Sequence, residues 1–114
     1  MASPGDFKQA VMQSAAVATG NGTAMAVQDG NGIFKIAAIQ IVGVTTATIT
    51  FEVTIDGTNW VAIKFTNVTS GTAATTATAD GIYVADVTGM AQLRARISAW
   101  TSGTITATGV LSAY

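Results

Sequence analysis

Two carboxylates come nearest, in type and spacing, to the residues of a catalytic site. Glu52 and Asp56 lie four residues apart, and a glycosidase needs two acids held about 5 to 9.5 Å apart across a cleft. Asp56 stands in an Asp-Gly turn that explains its presence. Glu52 falls on the polar side of a strand, where an ion pair with Lys64 or an arginine is the simpler role. The pair therefore does not predict a hydrolase.

Composition removes most other catalytic chemistry. The chain has no histidine and no cysteine, which excludes the commonest general base, thiolate nucleophiles and sulfur-based metal sites. Calcium needs only oxygen ligands, but the available oxygens lack the spacing of a calcium loop and are explained as turn formers. We therefore expect no enzyme, no cofactor and no metal site. The calcium candidates set aside on this ground are Asp29, Asn31, Asp56, Asn59, Asp80 and Asp86.

The low charge of the chain points to association. Only 10% of its 114 residues are charged and the net charge is -1, against about 25% charged residues in ordinary soluble domains. Such a chain offers no basic patch for nucleic acid or an anionic membrane. Its surface must be covered mostly by threonine, alanine, serine and glycine, which protect poorly against association. We expect it to work packed into a larger assembly, the alternative being a neutral, threonine-rich sandwich that stays free.

The segment TATITFEVTIDGTNW, residues 46–60, carries the clearest structural signal. Apolar Ile49, Phe51, Val53 and Ile55 alternate with polar residues, which predicts a strand with one face on the core. Asp-Gly follows and favours a hairpin turn. Trp60 then opens the returning strand as an apolar anchor. The segment predicts an antiparallel β protein.

The remaining segments extend this architecture. Residues 33–42 are nearly all apolar and predict a central strand covered on both faces. Residues 66–80 predict a long loop or an irregular edge strand. Residues 92–100 and 104–111 alternate as strands, joined by a hairpin loop at residues 101–103. About eight short strands predict an antiparallel β-sandwich or jelly roll.

The two ends of the chain have different characters. Residues 1–9 are expected to form a flexible arm, and residues 10–114 a single domain. Residues 6–17 are compatible with a helix or a strand, and the alternation after Ala10 favours the strand. No stretch reaches the roughly 18 apolar residues of a membrane span, and the N-terminus lacks the order of a signal peptide. We therefore expect synthesis in the cytoplasm.

The candidate binding residues are two arginines and the aromatic side chains. Arg94 and Arg96 share one strand face and suit interface ion pairs with Glu52, Asp86 or an acid of a neighbouring subunit. Alternation places Trp100 on the same face and exposed, which marks a contact site. Trp60 is expected in the core. A sugar-binding platform would draw on the larger aromatic set of Trp60, Tyr83, Trp100 and Tyr114.

Three phrases, in order along the chain, resemble a known group. They are the turn Asp56-Gly57-Thr58-Asn59-Trp60, the segment GIYVADVTG at residues 81–89, and LRARISAWTSG at residues 93–103. Together they resemble small virion proteins of tailed bacteriophages and prophages. The resemblance covers about residues 20–111 and implies an all-β sandwich in a virion, as a head decoration or a tail-associated module. It brings no catalytic or ligand residues, and the short length favours the capsid surface.

Two functions follow as expectations. The first is a capsid decoration or cement protein, bound as a homo-oligomer such as a trimer to the major capsid protein or other virion proteins, without nucleic acid or membrane. Its contacts are expected at Phe7, Val11, Arg94, Arg96 and Trp100. The alternative is a tail or baseplate module that binds carbohydrate or a host surface through Trp100, Tyr83 and residues 66–80.

Overall fold

The protein is an all-β sandwich, as its alternating segments predict. The computed structural model describes residues 7–29 and 32–113, and in these ranges all strands pair antiparallel. No helix of this part is long and apolar enough to cross a membrane. The strands are β1 (Phe7–Ala16), β2 (Met25–Ala26), β3 (Gln28–Asp29), β4 (Gly32–Ile33), β5 (Ile36–Thr54), β6 (Val61–Ala62), β7 (Phe65–Asn67), β8 (Ala73–Ala74), β9 (Thr76–Ala77), β10 (Gly81–Asp86) and β11 (Gln92–Ser112).

Strands β5 and β11 run through the whole molecule and belong to both layers. They pair from Ile36 and Ser112 at one end to Thr54 and Gln92 at the other. The N-terminal half of β5 and the C-terminal half of β11 lie between β1 on one side and β10, β7 and β8 on the other. We call this the first layer. The opposite halves of the same two strands pair with β2, β6 and β9 and form the second layer.

The two layers meet at a bend where the ladder shifts register several times, between residues 97 and 106 of β11. Gly43 and Gly103 have φ angles of 87° and 119°. A Cβ on Gly43 would overlap the carbonyl oxygen of Thr104, and one on Gly103 would lie 2.6 Å from the carbonyl oxygen of Gly43. Glycine at both positions therefore lets the two backbones cross closely while pairing continues.

This bend corrects two predictions. Residues 101–103 form no hairpin loop, because the chain passes through the bend and stays within β11. The strands predicted at residues 33–42 and 46–55 are likewise largely one strand, β5, which bends at Gly43. The turn residues were recognised, but bulges in a continuous ladder use the same residue types as hairpin loops.

The core lies between the layers. In β11 the buried residues Leu93, Ala95 and Ile97 continue after the bend with Ile105, Ala107 and Leu111. The ring of Phe51, in the second layer, stacks on Phe65 of the first layer at 4.6 Å and lies 5.4 Å from Tyr83. Burial of these apolar side chains between the sheets is what holds the layers together. The other buried apolar residues include Met12, Met25, Val27, Ile39, Ile41, Ile49, Val53 and Val87.

Gln13 links the layers by hydrogen bonds. Its side chain is buried, and its amide donates to the carbonyl oxygens of Ala95 at 2.9 Å and Gly20 at 3.1 Å. Because both acceptors lie away from β1, the amide ties that strand to the second layer. Buried amides with satisfied donors fix the packing of neighbouring elements.

The N-terminal strand begins within the predicted arm. Residues 1–6 of that arm lie outside the described residues, while Phe7, Lys8 and Gln9 pair with Ser112, Leu111 and Val110. The strand predicted after Ala10 is confirmed as part of β1, which ends at Ala16. Between residues 66 and 80 the chain forms β8 and β9, two short strands of the irregular kind that the sequence predicts.

Candidate functional site

The surface of the first layer that points away from the core is rich in apolar side chains and nearly uncharged. Cross-strand pairing places Val11 of β1, Thr108 of β11, Gln40 of β5 and Ile82 of β10 in one row. We call this surface the outer face. Among its paired positions only Asp86 carries a charge, and that residue lies at one corner. The outer-face residues are Phe7, Gln9, Val11, Ile36, Ala38, Gln40, Val42, Thr66, Ile82, Val84, Asp86, Thr106, Thr108, Val110 and Ser112.

Many of the large exposed apolar side chains gather on this outer face. Phe7 is 67% exposed, Val11 50% and Ile82 42%, and Ile36 and Val42 are exposed beside them. Isolated exposed apolar residues are ordinary, whereas a contiguous group marks an interaction surface. Two of the five predicted contact residues, Phe7 and Val11, lie on this outer face together with Ile36, Val42 and Ile82.

The central strand is covered on one face only, which corrects the expectation for residues 33–42. Ala37, Ile39 and Ile41 are buried against the second layer, but Ile36 and Val42 remain exposed on the outer face. When both alternating sets of side chains along a strand are apolar, the sequence predicts that both faces of the strand are buried. In this strand one set lies in the core and the other lies on the outer face.

A three-residue ion cluster occupies the opposite surface of the molecule, on the second layer. Arg94 stands directly across from Glu52 in the ladder, and Arg96 across from Thr50. Both guanidinium groups donate through Nε to the same carboxylate oxygen, Oε1 of Glu52, at 2.8 Å from Arg94 and 3.1 Å from Arg96. The predicted pairing with Glu52 is thus observed, whereas Asp86 lies on the outer face of the other layer. The cluster carries a net charge of +1.

Burial and the two arginines act in opposite directions on Glu52. Burial by itself raises the pKa of this carboxyl, but the hydrogen bonds and positive charges of Arg94 and Arg96 outweigh it and hold the pKa below its ordinary value. Glu52 is therefore ionised at neutral pH. Its Oε1 atom accepts from both arginines, as expected of a carboxylate that pairs across a ladder.

Trp60 covers the cluster rather than the core. The Arg94 guanidinium lies over the indole ring at 4.1 Å from its centroid, within the range of a cation–π contact. The expectation that Trp60 packs inside is therefore wrong. The Asp-Gly turn returns the chain as β6, which pairs with β5, and the indole just before β6 contacts Arg94 of β11.

Trp100, in contrast to Trp60, packs against the core. Between Ile97 and Ala99 the register of β11 shifts, so Trp100 pairs with buried Ala47 and packs against the core. Its Nε1 donates to the carbonyl oxygen of Gly103 at 3.1 Å. The expectation of an exposed tryptophan on the arginine face is wrong, because one bulge inverts the alternation on which it rested.

The aspartates that could have served calcium instead hold turns and the bend. Asp56 accepts from the backbone of Thr58 and Asn59, both at 2.8 Å, and from the Asn59 amide at 2.7 Å. These bonds, led by the Asn59 backbone, lower the pKa of Asp56 strongly. Asp80 accepts from the backbone of Gly43 and Val44 at the bend.

Asp86 has a comparable role in the turn that follows β10. It accepts from the side chain and backbone of Thr88, which together with nearby Lys35 lowers its pKa. Residues 7–29 and 32–113 contain no group of three or more acids placed to hold a metal ion. The side chains of Asp29 and Asn31 lie outside the described part.

The aromatic side chains do not assemble into a sugar platform. Tyr83 is buried, and its hydroxyl donates to the carbonyl oxygen of Ala79 at 2.7 Å. Trp100 packs against the core, and Tyr114 lies outside the described residues. Stacking on a sugar ring needs an exposed aromatic face, which buried Tyr83 does not present and half-buried Trp100 presents only in part.

A separate groove of about 280 Å³ lies beside the Asp56 turn. Its walls are apolar, with Ile55, Val61, Ile63 and Met90 among them. The carboxylate at its rim, Asp56, is fully engaged by its own turn. The groove therefore offers shape and apolar surface but no free polar group to orient a ligand.

Comparison with known proteins places the fold. No family model and no curated protein matches the chain. Among solved structures, it is similar to the SPBc2 prophage-derived protein YomS, with a TM-score of 0.80 at 20% identity over 93% of this chain and 92% of that one. It is also similar to the PBSX exported protein XepA, with a TM-score of 0.84 at 18% identity over 93% of this chain and 37% of that one. At these identities the likeness is one of fold.

Proposed function

We propose that the chain is a non-enzymatic structural protein of a bacteriophage particle, present as a homo-oligomer that decorates and stabilises the head. The observation that carries this proposal is the outer face, where exposed apolar side chains stand among uncharged polar ones with one charge at a corner. The prophage origin of the similar protein YomS supports the phage context. Tail attachment is the second location that the same surface would serve.

The occupant that we propose for the outer face is a second copy of the chain. When two copies pack through the same surface, like charges can meet and repel each other. The outer face carries almost no charge, so this repulsion is small. Its four longer strands, β1, β11, β5 and β10, lie about 4.8 Å apart and run for about six residues on this face, so they cover roughly 19 by 20 Å, or about 400 Å². Side-chain relief enlarges this area towards the about 800 Å² per partner of a standard stable interface.

The symmetry of the oligomer follows from which surface the outer face meets. Packed against itself about a two-fold axis, it gives a dimer. Packed against a different surface of the next copy, it gives a closed ring such as the expected trimer. The mass of the oligomer in solution distinguishes the dimer from the ring.

The test is light scattering coupled to size exclusion on the full chain and two matched variants. Ile82→Asp places a charge at an exposed apolar residue of the outer face, and Ile55→Asp makes the same change at a 73% exposed residue that is not on it. We expect an integer multiple of 11.5 kDa for the parent and for Ile55→Asp, and a monomer for Ile82→Asp. A monomeric parent protein at tens of micromolar would contradict the proposal.

Location is tested with particles of the phage that encodes the chain. We expect the protein to sediment with purified heads, and Ile82→Asp to be depleted from them while Ile55→Asp is retained. Recovery in the tail fraction instead would favour the tail module. Absence from both fractions would refute a virion role while leaving the oligomer result intact.

A further inference from the structure

We propose that the ion cluster on the second layer is a binding site for a carboxylate, which Arg96 and Arg94 hold beside Trp60. The site lies on the opposite surface from the outer face and does not depend on self-association. Its ligand is defined by chemistry: a free small carboxylate or the acidic side chain of another protein. Both present the same planar pair of oxygens.

The charges of the cluster do not balance. Two guanidinium groups face one carboxylate, and the neighbouring positions in the ladder are uncharged: Thr54 and Gln92 on one side, Thr50 and Ser98 on the other. In a chain with five cations in all, two of them therefore share a single acid. A second anion would bring the cluster to neutrality.

The hydrogen bonds of the cluster are also incomplete. Each arginine uses only its Nε towards Glu52, and within the described residues neither donates through its terminal nitrogens to a protein acceptor. A guanidinium presents a planar fork of donors that matches a carboxylate with two parallel bonds. The hydroxyls of Thr50 and Ser98 are already used as donors, since Thr50 donates to Oγ of Ser98 and Ser98 donates to the carbonyl oxygen of Thr48. The guanidinium forks are thus the donors left for a ligand.

The arginines are held in place before any ligand arrives. Glu52 fixes both Nε atoms, and the Trp60 ring lies against the Arg94 guanidinium. The Arg94 side chain is 16% exposed, whereas that of Arg96 is 35% exposed and offers the open side of the site. Pre-ordered donors avoid much of the entropy loss that weakens ion pairs between free surface side chains.

The experiment follows the arginine Nε–Hε resonances of the ¹⁵N-labelled full chain by NMR. Arg94 and Arg96 are the only arginines in the sequence, so the spectrum contains two such signals. The probes are sodium acetate and a capped peptide with one aspartate, titrated at constant ionic strength against sodium chloride. The peptide's asparagine analogue is the control for the carboxylate.

We expect saturable shifts of both signals with acetate and with the aspartate peptide, and neither with chloride nor with the asparagine peptide. Tighter binding of the peptide than of acetate would identify a protein side chain as the natural source. Equal binding would identify a small carboxylate. Shifts that chloride reproduces would overturn the proposal, because the cluster would then respond to ionic strength alone.

Two kinds of variant distinguish binding at Arg96 from a general effect of the protein's positive charges. Followed by the remaining Arg94 signal, Arg96→Gln should weaken acetate binding about tenfold, the loss expected when a charged fork is removed. Lys35→Gln removes the same charge beside Asp86 in the first layer, away from the cluster, and should leave binding unchanged. Should Arg96→Gln fail to fold, Arg96→Lys keeps the charge and loses the fork, and it should still weaken binding. Unchanged affinity in the Arg96 variants would refute the assignment.

Discussion

Replacing Gly43 by alanine should destabilise the protein much more than the same change at Gly89. The two glycines have nearly the same backbone angle, with φ of 87° and 88°, so an added methyl meets the same local strain at both. They differ in surroundings. Around Gly89 there is open space, whereas at Gly43 the new Cβ would overlap the carbonyl oxygen of Thr104 in β11.

The expected magnitudes follow from that difference. An alanine forced into the left-handed region costs about 1 to 2 kcal/mol, and that is the whole effect expected at Gly89. At Gly43 the backbones of β5 and β11 must also separate. That movement disturbs the ladder at the bend and the bonds from Gly43 and Val44 to Asp80, which we expect to cost about 3 kcal/mol more. Domains of this size are stable by about 5 to 15 kcal/mol, so the loss is a large fraction of the total.

Urea unfolding, followed by tryptophan fluorescence and far-ultraviolet circular dichroism, measures both variants against the parent. With an m value of about 1.5 kcal/mol per molar, the extra cost at Gly43 lowers the midpoint by about 2 M relative to Gly89→Ala. Failure of Gly43→Ala to fold, beside a folded Gly89→Ala, agrees with the reasoning. Free energies of unfolding within about 0.5 kcal/mol of each other would show that the bend does not depend on the close crossing.

Three further predictions concern side chains of the second layer and its turn. Glu52 has a lowered pKa in the folded protein. Its stabilising contribution is therefore present above its unfolded pKa of about 4.5 and is lost as pH falls through the folded pKa. The melting temperature of Glu52→Gln should accordingly fall less steeply with decreasing pH than that of the parent. Trp100→Ala should lower the free energy of unfolding by about 3 kcal/mol because the ring packs on the core. Trp60→Ala should lower it by about 1 kcal/mol because it loses a surface cation–π contact. Equal losses of unfolding free energy by calorimetry would contradict these placements. Carboxyl carbon NMR should show Asp56 titrating well below an ordinary aspartate, and a normal titration would mean that its turn bonds do not persist in solution.

The sequence was sufficient for the fold class because the local patterns are regular. Alternation of Ile49, Phe51 and Val53 predicted a half-buried strand, and these residues are buried in β5. The Asp-Gly turn after β5 was also predicted, and its geometry rests on bonds made by Asp56 itself. The partner of the arginines was correctly included as Glu52, because opposite charges on adjacent strands pair across the ladder.

The placement of single side chains beyond the bend could not be predicted. Alternation gives the face of a residue only while the register is unbroken, and β11 shifts register between Ile97 and Ala99. That shift moved Trp100 from the arginine face to the core. Trp60 lies over Arg94 instead, on the face to which alternation had assigned Trp100. Bulges depend on backbone contacts between distant residues, such as Gly43 with Thr104, which no local pattern records.

The bend also explains how one pair of strands supplies two surfaces of opposite chemistry. Before the bend, the exposed positions of β5 are Ile36, Gln40 and Val42, which form part of the apolar outer face. After it, the residues on the same side of the strand are Thr50, Glu52 and Thr54, which are buried, with Glu52 bound to both arginines and Thr54 to the turn. Because the layers turn their outer sides in opposite directions, these surfaces point away from each other. A copy that buries its outer face against a neighbour therefore leaves the carboxylate site open, so self-association and ligand binding can occur together. Acetate titration of the oligomer should then give the same affinity as titration of the monomeric Ile82→Asp variant, and a marked difference would show that the two surfaces are not independent.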